Sequence, residues 1–257
     1  FNQTVDGVEY TFEVIVSRMR YVRLTPASAP AAVKGEISIP SSAKYEGVRY
    51  IVTQIGERAF RDYTEITKVT LPKTLSQIEK EAFAGCISLQ EINTPQPLSV
   101  IGDYAFDGCV ALRSFSLDAS ISELGEGAFR GCASLEALEF TPTFADIPAE
   151  LCSGCSNLKD IRLPSTIMSV GISAFADCVS ARAISIDRSL QTIGAHAFAG
   201  CISMESVICL TATPPSCPSD TFDGIPESIP VTVPMATVED YRKADGWSRF
   251  ENIIGKY

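Results

Sequence analysis

Six cysteines, Cys86, Cys109, Cys132, Cys155, Cys178 and Cys201, recur every 23 residues without an insertion or deletion. Three residues before each lies an apolar column of Phe83, Phe106, Phe129, Cys152, Phe175 and Phe198; Phe60 extends it to a seventh copy, in which Tyr63 stands for cysteine. Five residues further upstream lie Ile55, Ile78, Ile101, Leu124, Ile147, Val170 and Ile193, usually followed by glycine. A unit this short cannot bury its own apolar face, so it is stable only when copies stack and share a continuous core.

Downstream of the cysteine the pattern L-x-x-I-x-L-P recurs, most completely at Leu158, Ile161, Leu163 and Pro164, and again at Ile66, Val69, Leu71 and Pro72. Alternation at Ile161 and Leu163 marks a half-buried strand. The proline ends it, because it brings no N–H to a ladder and restricts the residue before it. The alanine, phenylalanine and cysteine of A-F-x-x-C share one face of a single helical turn, so the spacing predicts a short helix or 3₁₀ turn there. The residue before the cysteine is Asp62, Gly85, Gly108, Gly131, Gly154, Asp177 or Gly200. A column restricted to glycine and aspartate predicts a left-handed backbone.

Both ends depart from the repeat. Tyr10, Phe12, Val14 and Val16 alternate, a polar turn follows near Ser17, and Tyr21, Arg23 and Leu24 resume, which reads as a β-hairpin. Ile37, Ile39 and Pro40 form a first partial copy of the strand-proline segment, and Glu46-Gly47 turns a second hairpin into Val52 and Ile55. At the other end Pro214, Pro215 and Pro218 interrupt the pattern, Phe222 recovers the phenylalanine column one residue late, and Val231, Val233 and Pro234 give a last strand. Val238 to Ala244 reads as a short helix, and Trp247, Phe250, Ile253 and Ile254 supply large apolar groups to close the final coil. The expected organisation is an N-terminal cap over 1–54, a solenoid over 55–208 and a C-terminal cap over 209–257, all within one structural domain.

The unit that runs from Leu158 through Cys178 closely resembles the BspA-type leucine-rich repeat, over about residues 35–234. The stretch from Val233-Pro234 through Val238, Tyr241, Ala244-Asp245-Gly246-Trp247 and Ile253-Ile254 also resembles the C-terminal cap of that family's Bacteroides-type members. Departures fall at Thr94, Pro148, Cys152 and Ala181. The resemblance implies an α/β repeat: a leucine-rich-repeat solenoid of about seven 23-residue coils with a β-rich N-terminal cap and a strand-helix C-terminal cap. It further implies export to a bacterial cell surface or outer envelope, with a lipid anchor on a removed N-terminal signal as one form of attachment. Relatives are described as adhesion or host-interaction proteins. The family has no shared catalytic motif, so neither an enzyme nor a cofactor is expected.

Composition narrows the partners. With 21 basic and 31 acidic residues among 257, the chain carries a net charge of −10, which disfavours nucleic acid and anionic lipid because both need a basic footprint. No apolar run approaches the roughly 18 residues of a membrane helix. Phe1 is not an initiator methionine, which suits a trimmed export signal and a cytosolic fragment equally. Stacked cysteines recur at about 4.8 Å with parallel side chains, whereas a disulfide needs Cβ atoms about 3.8 Å apart and a torsion near 90°, so the ladder is expected to be thiols. The C-x-x-C of Cys152 and Cys155 falls on two columns of the repeat and needs no redox or zinc role. Cys209 and Cys217, outside the ladder, are the pair best suited to a disulfide. His196, the only histidine, sits on a variable position with no marked nucleophile beside it.

The outward positions beside the buried isoleucine column form two stripes. The candidate partner-binding residues on them are Lys68, Glu91, Ser114 and Asp160 on one, and Thr70, Asn93, Ser116, Glu139, Arg162 and Ser185 on the other. They are small, polar and mixed in sign, short of the aromatic and arginine anchors of interface hot spots; alone they read as a solvated face. The expected function is a non-catalytic binding or adhesion module presenting a rigid surface to a protein or glycan on a host or neighbouring cell, acting as a monomer. The alternative is a stalk or spacer with no specific ligand. A hydrolase would need two close carboxylates in a deep cleft, and no pattern marks such a pair.

Overall fold

The computed structural model describes residues 1–117, 120–140 and 144–256. The chain is a β-solenoid of about 9 turns and divides into two units, Phe1–Cys132 and Ala133–Tyr257. The turns exceed the seven regular copies because the segment at Ile37, read from the sequence as a partial copy, and that at Val231, read as a last strand, supply strands of their own.

In the first unit β1 (Asn2–Val5), β2 (Val8–Val16) and β3 (Tyr21–Pro26) form an antiparallel meander that buries Tyr10, Phe12, Val22 and Leu24. The β1 strand was not legible in advance; Asp6 and Gly7, with φ of 48° and 81°, make the tight turn that pairs Val5 with Val8. Next come β4 (Gly35–Ser38) and the hairpin of β5 (Ser42–Tyr45) and β6 (Val48–Ile55). The regular coils follow as β7 (Ile66–Thr70), β8 (Gln77–Ile78), β9 (Glu91–Ile92), β10 (Val100–Ile101), β11 (Ser114–Ser116) and β12 (Glu123–Leu124). Main strands stack as β4-β7-β9, and the two-residue strands extend the N-terminal sheet as β3-β6-β8-β10-β12. Two-residue strands show no alternation, which is why this second stack escaped the sequence.

The second unit repeats the scheme with β13 (Ala137–Glu139), β14 (Asp146–Ile147), β15 (Asp160–Leu163), β16 (Ser169–Val170), β17 (Ala183–Ile186), β18 (Thr192–Ile193) and β19 (Ser206–Cys209). It closes with β20 (Pro230–Pro234), α1 (Val238–Lys243) and β21 (Asn252–Lys256). Main strands stack in parallel as β15-β17-β19-β20-β21, in a register that pairs Asp160 with Ala183 and Leu163 with Ile186.

The A-F-x-x-C segments are hydrogen-bonded turns and not helices; α1 is the only α-helix among the described residues. The reason lies in where their N–H groups go. Ala59 N reaches Gly56 O within its own turn, but Arg58, Phe60 and Asp62 donate to Lys80, Ala82 and Ala84 of the next coil at 2.9, 2.7 and 2.7 Å. Alternate donors captured by a neighbouring coil are unavailable to a helix. The glycine-aspartate column is left-handed as expected, from φ 58° at Asp177 to 76° at Gly200. A second left-handed column lies four residues earlier, at Arg58, Glu81, Tyr104, Gly127, Glu150, Ser173 and His196. Its mixed composition hid it. A left-handed non-glycine residue costs about 1–2 kcal/mol, and here the conformation aims the N–H at the next coil, as in Tyr104 N to Glu126 O at 2.7 Å.

Inside, the phenylalanine column is a stack of near-parallel rings. In the first unit Phe60, Phe83, Phe106 and Phe129 follow at 5.1, 5.5 and 5.5 Å, and in the second Phe175, Phe198 and Phe222 follow at 5.7 Å each. All nine cysteines are buried and none forms a disulfide. The ladder thiols do more than fill space, since those of Cys86, Cys109, Cys132, Cys178 and Cys201 reach a carbonyl one coil back, as in Cys86 Sγ to Phe60 O at 3.0 Å, Cys109 to Phe83 at 3.2 Å and Cys201 to Phe175 at 3.3 Å. Cys209 and Cys217 are not paired with each other; Tyr241 Oη donates to Cys209 Sγ at 3.2 Å, and Cys217 Sγ donates to Asp245 O at 3.3 Å.

Burial raises the pKa of Cys109 well above the usual thiol range and pushes Cys201 and Cys217 up to about 12, and only the thiolate attacks. Native protein at pH 8 is therefore expected to be inert to an aromatic disulfide reagent, while denatured, unreduced protein should titrate all nine thiols. Fewer than nine in denaturant would contradict the ladder as described.

Candidate functional site: the strand face

The main strands present alternate residues outward, and the ten candidates distribute unevenly over them. Lys68, Thr70, Glu91, Asn93 and Ser114 border a shallow recess of about 300 Å³ in the first unit. Glu139, Asp160 and Arg162 border a larger one of about 640 Å³ in the second, with Glu136, Lys159 and Phe140. Ser116 and Ser185 line neither recess.

Each recess lies where the stack of main strands lapses. In the second unit Lys159 N still reaches Glu136 O at 3.3 Å, but β13 and β15 do not continue as one sheet. Phe140 stands at this break. It occupies the column held elsewhere by Leu71, Leu117 and Leu163, and its ring meets Phe175 edge-on, with centroids 6.4 Å apart at 86°. Cys152 removes a ring from the phenylalanine column, and Phe140 brings one in from the strand side. In the first unit the same column holds Thr94, followed by Pro95, which has no N–H for a ladder, and β9 ends after two residues.

Several candidates turn out to serve the fold. Asn93 accepts a hydrogen bond from Leu71 N at 2.6 Å and donates to Leu71 O at 3.1 Å, so its amide takes the place of the missing strand. Lys68 pairs with Glu91 at 3.0 Å, and the carboxylate hydrogen-bonded to it raises the lysine pKa; an exposed pair like this adds little stability. Arg162 protrudes, its side chain 82% exposed and 3.5 Å from Asp160. The sequence reading missed Phe140 and Lys159, the latter bonded to Glu136 at 2.5 Å. The available signal was phenylalanine in a leucine column one half-turn before the cysteine that replaces phenylalanine.

His196 Nε2 lies 3.4 Å from Asp220 Oδ2 on the turn side, far in sequence from either recess. Among the described residues no group of histidine, cysteine, aspartate and glutamate is arranged to hold a metal ion, and no helix is long and apolar enough to cross a membrane.

Stacked coils with one main parallel strand each, an inward aromatic ladder and closed ends define a leucine-rich-repeat solenoid, a scaffold whose chemistry resides on its surface. The sequence matches the BspA type leucine rich repeat region in six copies over residues 53–182 and 145–237, and the chain belongs to that family. Solved structures with the same fold include a leucine-rich repeat protein from Bacteroides ovatus, 21% identical over 91% of this chain and 71% of that one, with a TM-score of 0.63. A leucine rich cell surface protein from Faecalibacterium prausnitzii is 16% identical over 100% of this chain and 95% of its own, with a TM-score of 0.56. The leucine-rich repeat protein of T. pallidum is 21% identical over 93% and 90%, with a TM-score of 0.54. None of the curated proteins matches the sequence.

Proposed function

We propose that this chain is a non-catalytic adhesion module of a bacterial cell surface, exported and monomeric, which presents its strand face to a protein or glycan on a host or neighbouring cell. Residues 1–54 and 209–257 act as caps that keep the ends of the 55–208 solenoid from associating. The observation that carries this reading is that within each unit the outward residues of the main strands border an open recess while the columns behind them are buried. The description of the Faecalibacterium relative as a cell surface protein supports the location. The acidic balance of −10 supports a partner other than nucleic acid.

The test is charge reversal on the exposed stripe. Arg162→Glu with Glu139→Lys is expected to weaken an isolated surface partner by roughly tenfold or more, the scale of one lost interfacial contact, in surface-plasmon measurements on folded protein. Unchanged affinity would place binding on the turn side or the ends. Uniform failure to capture any partner from surface fractions, with the folded chain confirmed, would leave a spacer as the function.

A further inference from the structure

The recess over β13 and β15 has a chemical character that names its ligand class, granted that the strand face binds. Glu139 and Arg162 hold the same stripe position in neighbouring coils, 23 residues apart, yet Arg162 turns to Asp160 at 3.5 Å. Among the described residues no cation lies within ion-pair distance of Glu139. One wall thus offers a carboxylate acceptor, and the other a guanidinium donor with a second carboxylate. Glu136 and Lys159, bonded at 2.5 Å, close one end. Three carboxylates against two cations leave the recess near charge balance, which gives little attraction to a polyanion or a polycation.

The floor supplies the complementary half. Ala137 is exposed between the charged walls, and Pro164 and Phe140 are half-buried beside it. Small apolar patches framed by a few convergent polar groups are the usual makeup of a ligand pocket, and about 640 Å³ lies within the usual range. An added peptide strand does not fit between β13 and β15, because it would need them about 9.6 Å apart, and Lys159 N sits 3.3 Å from Glu136 O.

We propose that this recess binds a neutral saccharide: ring hydroxyls donate to Glu139 and Asp160 and accept from Arg162, while a C–H face of the sugar lies over Ala137, Pro164 and Phe140. A polyol is both donor and acceptor at every position, so it satisfies opposed walls that a singly charged group cannot.

The experiment is saturation-transfer NMR of the full chain against a panel of neutral di- and trisaccharides of gluco, galacto and manno configuration. At least one sugar should show transfer to its ring C–H protons, and the signal should persist at about 0.5 M salt, where exposed charge attraction is screened. Glu139→Gln and, separately, Ala137→Lys should each reduce affinity roughly tenfold; the lysine both fills the floor and reaches Glu139 two residues along the same strand face. Both positions are exposed, and circular dichroism should match the parent. Silence across the panel, or transfer indifferent to both variants, overturns the proposal. Salt-suppressed binding of a lysine-rich peptide at the same residues overturns it in favour of a basic protein segment. A surface partner lost on Arg162→Glu while the panel stays silent removes the saccharide and keeps the binding module; if neither responds, both fall.

Discussion

Phe106→Ala is expected to lower unfolding stability by about 3–5 kcal/mol, the range for deleting a fully buried phenylalanine, read as a shift in the urea midpoint with little change in slope. Phe106 is inaccessible and lies between Phe83 and Phe129 at 5.5 Å on either side, with interplanar angles of 1° and 2°, while Phe115 leans on it at 5.1 Å. Three rings therefore lose a partner at once. The neighbours cannot collapse into the space, since each is held by backbone bonds to the next coil, such as Phe83 N to Ala105 O at 2.8 Å. Phe60→Ala should cost less, because Phe60 stacks on Phe83 alone and its other neighbour, Tyr63, is held by a bond to Ser28 O at 2.6 Å. Equal losses at the two positions would mean that the stack does not act as a column.

Trp247→Ala is expected to be as damaging, at about 3–5 kcal/mol for the side chain, with a further penalty of about 1 kcal/mol or more for the carbonyl left unsatisfied. The indole is fully buried against Phe222 at 5.0 Å and Tyr241 at 5.1 Å, and its Nε1 donates to Pro215 O at 2.9 Å. That bond ties the proline-rich loop to the end of the chain. Trp247→Phe keeps most of the packing and loses the bond, so it should recover more than half of the loss. Thermal melts followed by circular dichroism separate the two variants. A phenylalanine variant no better than alanine would show that the hydrogen bond, and not the volume, secures this end.

The columns were legible because each is reinforced in every coil: Phe83, Phe106 and Phe129 mark the same buried place, and Asp62 and Gly85 the same left-handed place. What a single residue does against its neighbour in the next coil was not legible. Asn93 looked like a surface residue, and its amide bonds both backbone groups of Leu71. Nothing in the local sequence marks Tyr104, and it carries a left-handed backbone that aims its N–H at Glu126 O. The cysteine ladder looked like filling, and its thiols also donate to carbonyls one coil back. Each of these facts concerns residues some 22 to 26 positions apart in the chain, where no local pattern records the pairing.

The sequence by itself determined the 23-residue coil, the columns that face inward and the strand that starts each unit, because burial repeated at one period needs no knowledge of neighbours. Only the tertiary structure decided where the main-strand stack lapses, and so where the strand face opens into recesses. Phe140 and Leu163 hold the same column and are alike in apolar character, yet β15 continues into a five-stranded sheet that β13 does not join. Periodicity reports what kind of residue occupies a column, and the fit between two members of it is settled by their shapes.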